Sequence, residues 1–164
     1  MFEGVRKGDV ALAAVLTLLG VALMIENITA VDPDVRIDSH SWLLIPVFAA
    51  ATVPILWRRR NMLAVTLVTA VAMGAHLLAF GWVVRCGAGL PLAFALAYGV
   101  GRLAPRWQSW VGLVGTLVVQ VLVLVQDSAA GLSILPVTAL IGVAAWGVGM
   151  WVRHRADAPV AVHV

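Results

Sequence analysis

The chain has 164 residues, 62% apolar and 12% charged, with a formal net charge of +3. Soluble domains carry about 25% charged residues, so this composition excludes an ordinary water-facing surface. The basic residues form no stripe interleaved with aromatics, which excludes a nucleic-acid face, and the single cysteine, Cys86, excludes an internal disulfide.

Windows of about 20 apolar residues, enough to cross a ~30 Å hydrocarbon core, recur along the chain. They predict an all-α polytopic membrane bundle in a single domain over 1–155, with a short tail at 156–164. Six spans are expected, at about 9–28, 41–57, 62–84, 87–103, 109–126 and 132–152. The first also resembles a signal peptide, with Arg6 and Lys7 ahead of VALAAVLTLLGVALM and small residues at ITA. Asp9 interrupts the basic region of such a peptide, so an uncleaved first span is expected. The 27–40 loop, NITAVDPDVRIDSH, sets Asp32, Asp34 and Asp38 against Arg36 and is too short for a folded external domain. The next connection contains Arg58, Arg59 and Arg60 between two uncharged apolar runs. In the fourth span Pro91 is placed in the first turns, where a missing N–H costs little. In the sixth, Gly142, Ala145 and Gly149 share one face and permit close helix packing.

Orientation follows from the basic residues, which concentrate on the cytoplasmic side of membrane proteins. With both termini cytoplasmic, Arg6, Lys7, Arg58, Arg59, Arg60, Arg102, Arg106, Arg153 and Arg155 lie inside, and only Arg36 and Arg85 lie outside. The three-arginine loop is then a cytoplasmic clamp on the hairpin of spans two and three, in a multi-pass protein of the plasma membrane. Trp42, Trp57, Trp82, Trp107, Trp110 and Trp151 fall at span ends, as interfacial anchors do, whereas Trp146 lies inside a span.

Ionisable groups at membrane depth are candidates for function. Glu26, His76 and Asp127 are the candidate catalytic residues, all placed toward the outer leaflet with Gln120 and Gln126. Steps of four and seven put Gly112, Thr116, Gln120 and Asp127 on one face of span five. Met62, Thr66, Thr69, Met73 and His76 share a face of span three. Gln120, Thr116, His40 and Asp38 are candidate ligand-binding residues. A structural reading stands beside each of these. Glu26 and Asp127 suit boundary positions bathed by water, and His76 suits an interhelical hydrogen bond. The chain contains no GxxxxGK[ST], no HExxH and no Rossmann glycine fingerprint, so neither metal nor cofactor is expected.

The order of features resembles the N-terminal transmembrane sensor domain of actinobacterial two-component histidine kinases, the kind paired with LuxR-type response regulators. The resemblance rests on an Asp before span one (Asp9), PILWRRR from Pro54 to Arg60, CGAGLPLAFALAYGVGRLAPR, and a last span ending in Arg153-His154-Arg155. It covers the chain from about Asp9 to Arg155. In that family the last span leads into a dimerisation helix with a phosphoacceptor histidine and then an ATP-binding domain. Here RHRADAPVAVHV follows instead, and neither His154 nor His163 matches the phosphoacceptor setting, so no kinase activity is expected of this chain.

Three functions are compatible with these features. The first is a non-catalytic membrane module that resembles the sensor domain and binds an amphiphile, a membrane partner or a second copy of itself. The second is a small membrane enzyme of the terpene-cyclase type, in which a protonated carboxylic acid in an apolar cavity starts carbocation chemistry on an isoprenoid. The third is an accessory subunit of a transporter complex.

Overall fold

The computed structural model describes residues 5–31 and 35–157. Among them the chain forms six α-helices and no strand: α1 Lys7–Thr29, α2 Leu44–Thr52, α3 Met62–Phe80, α4 Cys86–Leu103, α5 Arg106–Leu124 and α6 Leu135–Asp157. Asp32 and Asp34 of the first loop, and His163 of the tail, lie outside the described residues.

The outside of the bundle is as apolar as its core. Leu18, Leu67, Leu78, Val114 and Leu140 are all largely exposed, with Leu78 at 89%. In water such a surface would drive aggregation, whereas in a bilayer it meets hydrocarbon. Five helices, all but α2, are long and apolar enough to cross a membrane.

The second span departs from expectation. It is α2 followed by a 3-10 turn, Val53–Trp57, so the element runs only from Leu44 to Trp57. Nine α-helical and five 3-10 residues rise about 23 Å, short of the ~30 Å hydrocarbon thickness. Pro54, at the start of the 3-10 turn, has no N–H to continue the α ladder, and the chain tightens there. Other boundaries move by a few residues. The third span ends at Phe80 rather than 84, because Gly81 adopts φ 62 and turns the chain. The sixth begins with a 3-10 turn at Leu132–Ile134, and α6 then continues to Asp157 through residues expected to be tail. Pro91 is the sixth residue of α4, beyond its first turn, and the helix runs through it.

Helix α4 is the axis of the bundle. It packs against α1, α3, α5 and α6, which with α2 form an incomplete ring in the order α1, α2, α3, α5, α6. Its closest neighbour is α6, and small residues make that possible. A Cβ on Gly101 would meet the Trp146 carbonyl oxygen at 2.2 Å, and one on Gly149 would meet that of Tyr98 at 2.3 Å. The small-residue face expected of α6 is thus seated on α4 at Gly149 and on α5 at Gly142. Trp146, the tryptophan inside a span, donates from Nε1 to Ser109 Oγ at 2.8 Å, and Ser109 Oγ donates to the Val100 carbonyl. Burying an indole requires such a partner.

The polar faces read from helical spacing are where the core lies. Met62, Thr66, Thr69, Met73 and His76 are all buried on α3, as are Gly112, Thr116 and Gln120 on α5. Most of the hydroxyls return to backbone carbonyls: Thr66 to Met62, Thr116 to Leu113, and Thr69 across to Ala51 of α2. Asp127 belongs to the turn after α5 rather than to its face.

Candidate functional site

Two polar clusters close the two ends of the bundle. At one end Asp9, in the first turn of α1, is fully buried. Arg58 Nε donates to its Oδ1 at 2.7 Å and Arg59 Nε to its Oδ2 at 2.8 Å, while the Arg6 backbone N–H also donates to Oδ2. Two of the three arginines therefore hold α1 against the α2–α3 turn, rather than only the hairpin on which they sit. A guanidinium of Arg153 reaches the Ala104 carbonyl at this same end, tying α6 to the α4–α5 turn.

At the other end the centre is Arg85, which is completely buried between α3 and α4. Its Nε donates to His76 Nδ1 at 3.2 Å, NH1 donates to the Gln126 carbonyl at 3.1 Å, and NH2 donates to the Gly81 carbonyl. The guanidinium thus holds the end of α3 and the turn after α5. Burial lowers the Arg85 pKa to about 10 against the opposing pull of Asp127, so the group remains a cation at neutral pH.

Asp127 completes the cluster from the backbone side. Its Oδ2 accepts the N–H groups of Arg85 and Cys86 at 2.6 and 2.7 Å, and its Oδ1 accepts those of Ala129 and Ala130 at 3.1 and 2.9 Å. Cys86 is the first residue of α4, so the carboxylate sits at the positive end of that helix. Four backbone donors around one carboxylate make it an acceptor on both oxygens.

His76 lies between Phe48 and Phe80, in edge contacts with ring centroids 5.6 and 4.9 Å away. Because Nδ1 accepts from Arg85, the ring is neutral with its proton on Nε2, and Nε2 has no hydrogen-bond partner among the described residues. Gln120 is also fully buried, with both amide atoms unpartnered among the described residues and Nε2 lying over Gly142. Glu26 stands apart from both. It is exposed on α1 and lines a shallow groove with Leu23, Ala30 and Val35. The first loop is fastened beside it. His40 Nδ1 donates to the Asn27 carbonyl at 3.0 Å, and Asn27 bridges to Val84 through both ends of its amide. Asp38 pairs with Arg36 and exchanges hydrogen bonds with the Trp82 backbone.

A family profile described as a domain of unknown function, DUF7134, matches residues 6–156. The chain belongs to the DUF7134 family. No curated protein and no solved structure matches it.

In this DUF7134 chain the sequence candidates divide three ways. His76 and Asp127 meet, but through Arg85, which spacing and charge had placed in an outer loop. Gln120 and Thr116 lie deeper, toward α6 and the α5 backbone respectively. Glu26, His40 and Asp38 belong to the surface and the loop. The available signal for Arg85 was its setting, a lone cation in the apolar run GWVVRCGAG, where only an internal site would satisfy five N–H donors.

Proposed function

We propose that this DUF7134 protein is a non-catalytic membrane module of the kind the histidine-kinase sensor resemblance implies. Its plasma-membrane orientation follows the arginines, with the Asp9 end cytoplasmic. In this reading α6 carries the state of the Arg85–Asp127 end to the cytoplasmic end, in response to an amphiphile or a membrane partner.

The observation that carries the proposal is the continuity of α6. It is one helix from Leu135 to Asp157, in backbone contact with α4 at Gly101 and Gly149. The first residue of α4 is in turn held by Asp127. A displacement at the Asp127 turn thus has a rigid, close-packed route to the far end of α6, as two-state transmission requires. The hydrogen bonding of Asp127 also favours a non-catalytic role, since both oxygens are engaged by backbone N–H groups of its own fold.

A chimera tests this. Residues 1–157 are joined in helical phase to the kinase region of an actinobacterial sensor histidine kinase and reconstituted in liposomes. Autophosphorylation is expected to rise and fall with one-residue insertions at the junction, with the ~3.6-residue period of a helix. Asp127→Asn is expected to shift the output. Output indifferent both to phase and to Asp127 would refute transmission through α6, and turnover of an isoprenoid by the unfused chain would refute the non-catalytic reading.

A further inference from the structure

At the Asp9 end a narrow cleft opens between the α2–α3 turn and the last turns of α4. Arg58, Arg59, Tyr98, Gly99, Arg102 and Leu103 line it, and polar atoms contribute to its exposed lining. Arg58 and Arg59 reach Asp9 through Nε, one of the five N–H donors of each guanidinium. Arg102 is exposed, and its NH1 donates to the Tyr98 hydroxyl at 3.0 Å. Three guanidinium groups therefore converge here, against the single carboxylate of the buried Asp9. The carbonyl end of α4 opposes an anion at this place, and Arg153 offsets part of that by donating to the Ala104 carbonyl. The enclosed part of the cleft, about 10 Å³, admits one oxygen atom.

We infer that this cleft binds the phosphate of an anionic phospholipid, with an oxygen seated among Arg58, Arg59 and Arg102 and an acyl chain along α4. Guanidinium forks match phosphate oxygens in charge and in geometry. The apolar half of the ligand is matched by the open side of the bundle. The ring of helices around α4 is incomplete between α6 and α1. Leu90, Phe94 and Tyr98 are partly exposed and Arg102 is exposed, at successive steps of four along α4. An apolar stripe thus runs along α4 and ends at the arginines. A soluble phosphate would satisfy the cleft but make no use of that stripe. The groove between α3 and α5, lined by Leu63, Thr66, Gly112 and Gly115 among others, offers apolar surface without a cation. This inference does not depend on signal transmission by α6.

The full chain in neutral detergent is titrated with phosphatidylglycerol or with phosphatidylcholine of the same acyl chains, and retained lipid is counted by native mass spectrometry. One phosphatidylglycerol is expected to be retained at least about fivefold better, the effect of one arginine on an anionic lipid. Arg102→Gln removes a cleft cation that takes no part in the Asp9 pairs, and is expected to weaken that retention about fivefold. Arg106→Gln, exposed at the same end but outside the cleft, is expected to leave it unchanged. Glycerol phosphate, the headgroup without its chains, is expected to displace the lipid only at far higher concentration. Equal retention of the two lipids would overturn the inference, as would equal losses in Arg102→Gln and Arg106→Gln, because the effect would then be one of general charge. Displacement by glycerol phosphate at the concentration at which the lipid itself competes would also overturn it, and would assign the cleft to a soluble phosphate.

Discussion

Asp127 Oδ2 accepts the backbone N–H of Arg85 at 2.6 Å, joining the turn after α5 to the start of α4 across 42 residues of sequence. The same carboxylate holds Cys86, Ala129 and Ala130, so one side chain organises three chain segments. Asp127→Asn replaces one acceptor by an NH₂ group that faces N–H donors. It is expected to lower stability by about 1–3 kcal/mol, the cost of unsatisfied buried groups. Glu26→Gln, on an exposed side chain, is expected to fall within about 0.5 kcal/mol of the parent. Reversible unfolding in mixed micelles measures both. An Asp127→Asn protein of unaltered stability would show that the four hydrogen bonds do not hold this end together.

Asp9 makes the corresponding closure at the far end, buried against two guanidinium groups that are themselves largely enclosed. Removing the carboxylate leaves two cations facing each other, so Asp9→Asn is expected to cost about 3–5 kcal/mol, as for other broken buried pairs. Arg58→Gln alone leaves Arg59 in place and is expected to cost less. In the double mutant the two losses are expected to be strongly non-additive, which a double-mutant cycle reads directly.

The two closures differ in how readily the chain announces them. The helices, their apolar outer surface and the buried faces of α3 and α5 were legible, because hydrophobic length and 3.6-residue spacing report directly on burial. The pairing of Asp9 with Arg58 and Arg59 spans about fifty residues and has no local pattern. Arg85 is placed on the outer side by charge counting, which treats each cation as a topological marker and says nothing of whether carbonyls and a histidine surround it. The shortening of α2 had a local cause in Pro54, but an apolar run of adequate length masked it. Gln120 was found by spacing, while the Gly142 surface against which it lies became visible only once α5 and α6 were placed together.

Asp38 gives a pH dependence. Hydrogen bonds from Arg36, then from the Trp82 backbone, hold its carboxyl below the ordinary carboxylate range in the folded protein. A group whose folded pKa is depressed stabilises the fold fully above its unfolded pKa of about 3.9, and that contribution disappears as pH falls through the folded value. Hydrogen exchange of the 35–43 loop is therefore expected to be constant from neutral pH down to about 5, after correction for intrinsic rates, and to accelerate below about 4. Asp38→Asn is expected to remove the acid step. Persistence of that step in the variant would assign it to another group.

The proposed orientation, with the Asp9 end cytoplasmic, is open to direct labelling. In a Cys86→Ser background, Arg60→Cys and Ala129→Cys place single exposed thiols at opposite ends of the bundle. An impermeant maleimide added to intact cells is expected to modify position 129 and to reach position 60 only after permeabilisation. Labelling of position 60 from outside would invert the topology that the basic residues imply.

The α4–α6 crossing yields the sharpest contrast between neighbouring substitutions. Gly149→Ala sets a methyl group 2.3 Å from the Tyr98 carbonyl oxygen and 3.0 Å from the Arg102 nitrogen, and Gly101→Ala sets one 2.2 Å from the Trp146 carbonyl oxygen. These neighbours are backbone, which cannot rotate away, so the helices must separate. Each substitution is expected to cost at least about 1–3 kcal/mol, as overpacking does in other cores. Gly147, two residues from Gly149 on the same helix, has no heavy atom within 4 Å of its added Cβ. Gly147→Ala is therefore expected to be neutral, or stabilising by about 0.5–1 kcal/mol through reduced backbone freedom in the unfolded chain. The three variants share chemistry and differ only in what the new methyl meets. Equal stabilities for all three would show that α4 and α6 do not approach to backbone contact, and would remove the physical route on which transmission through α6 depends.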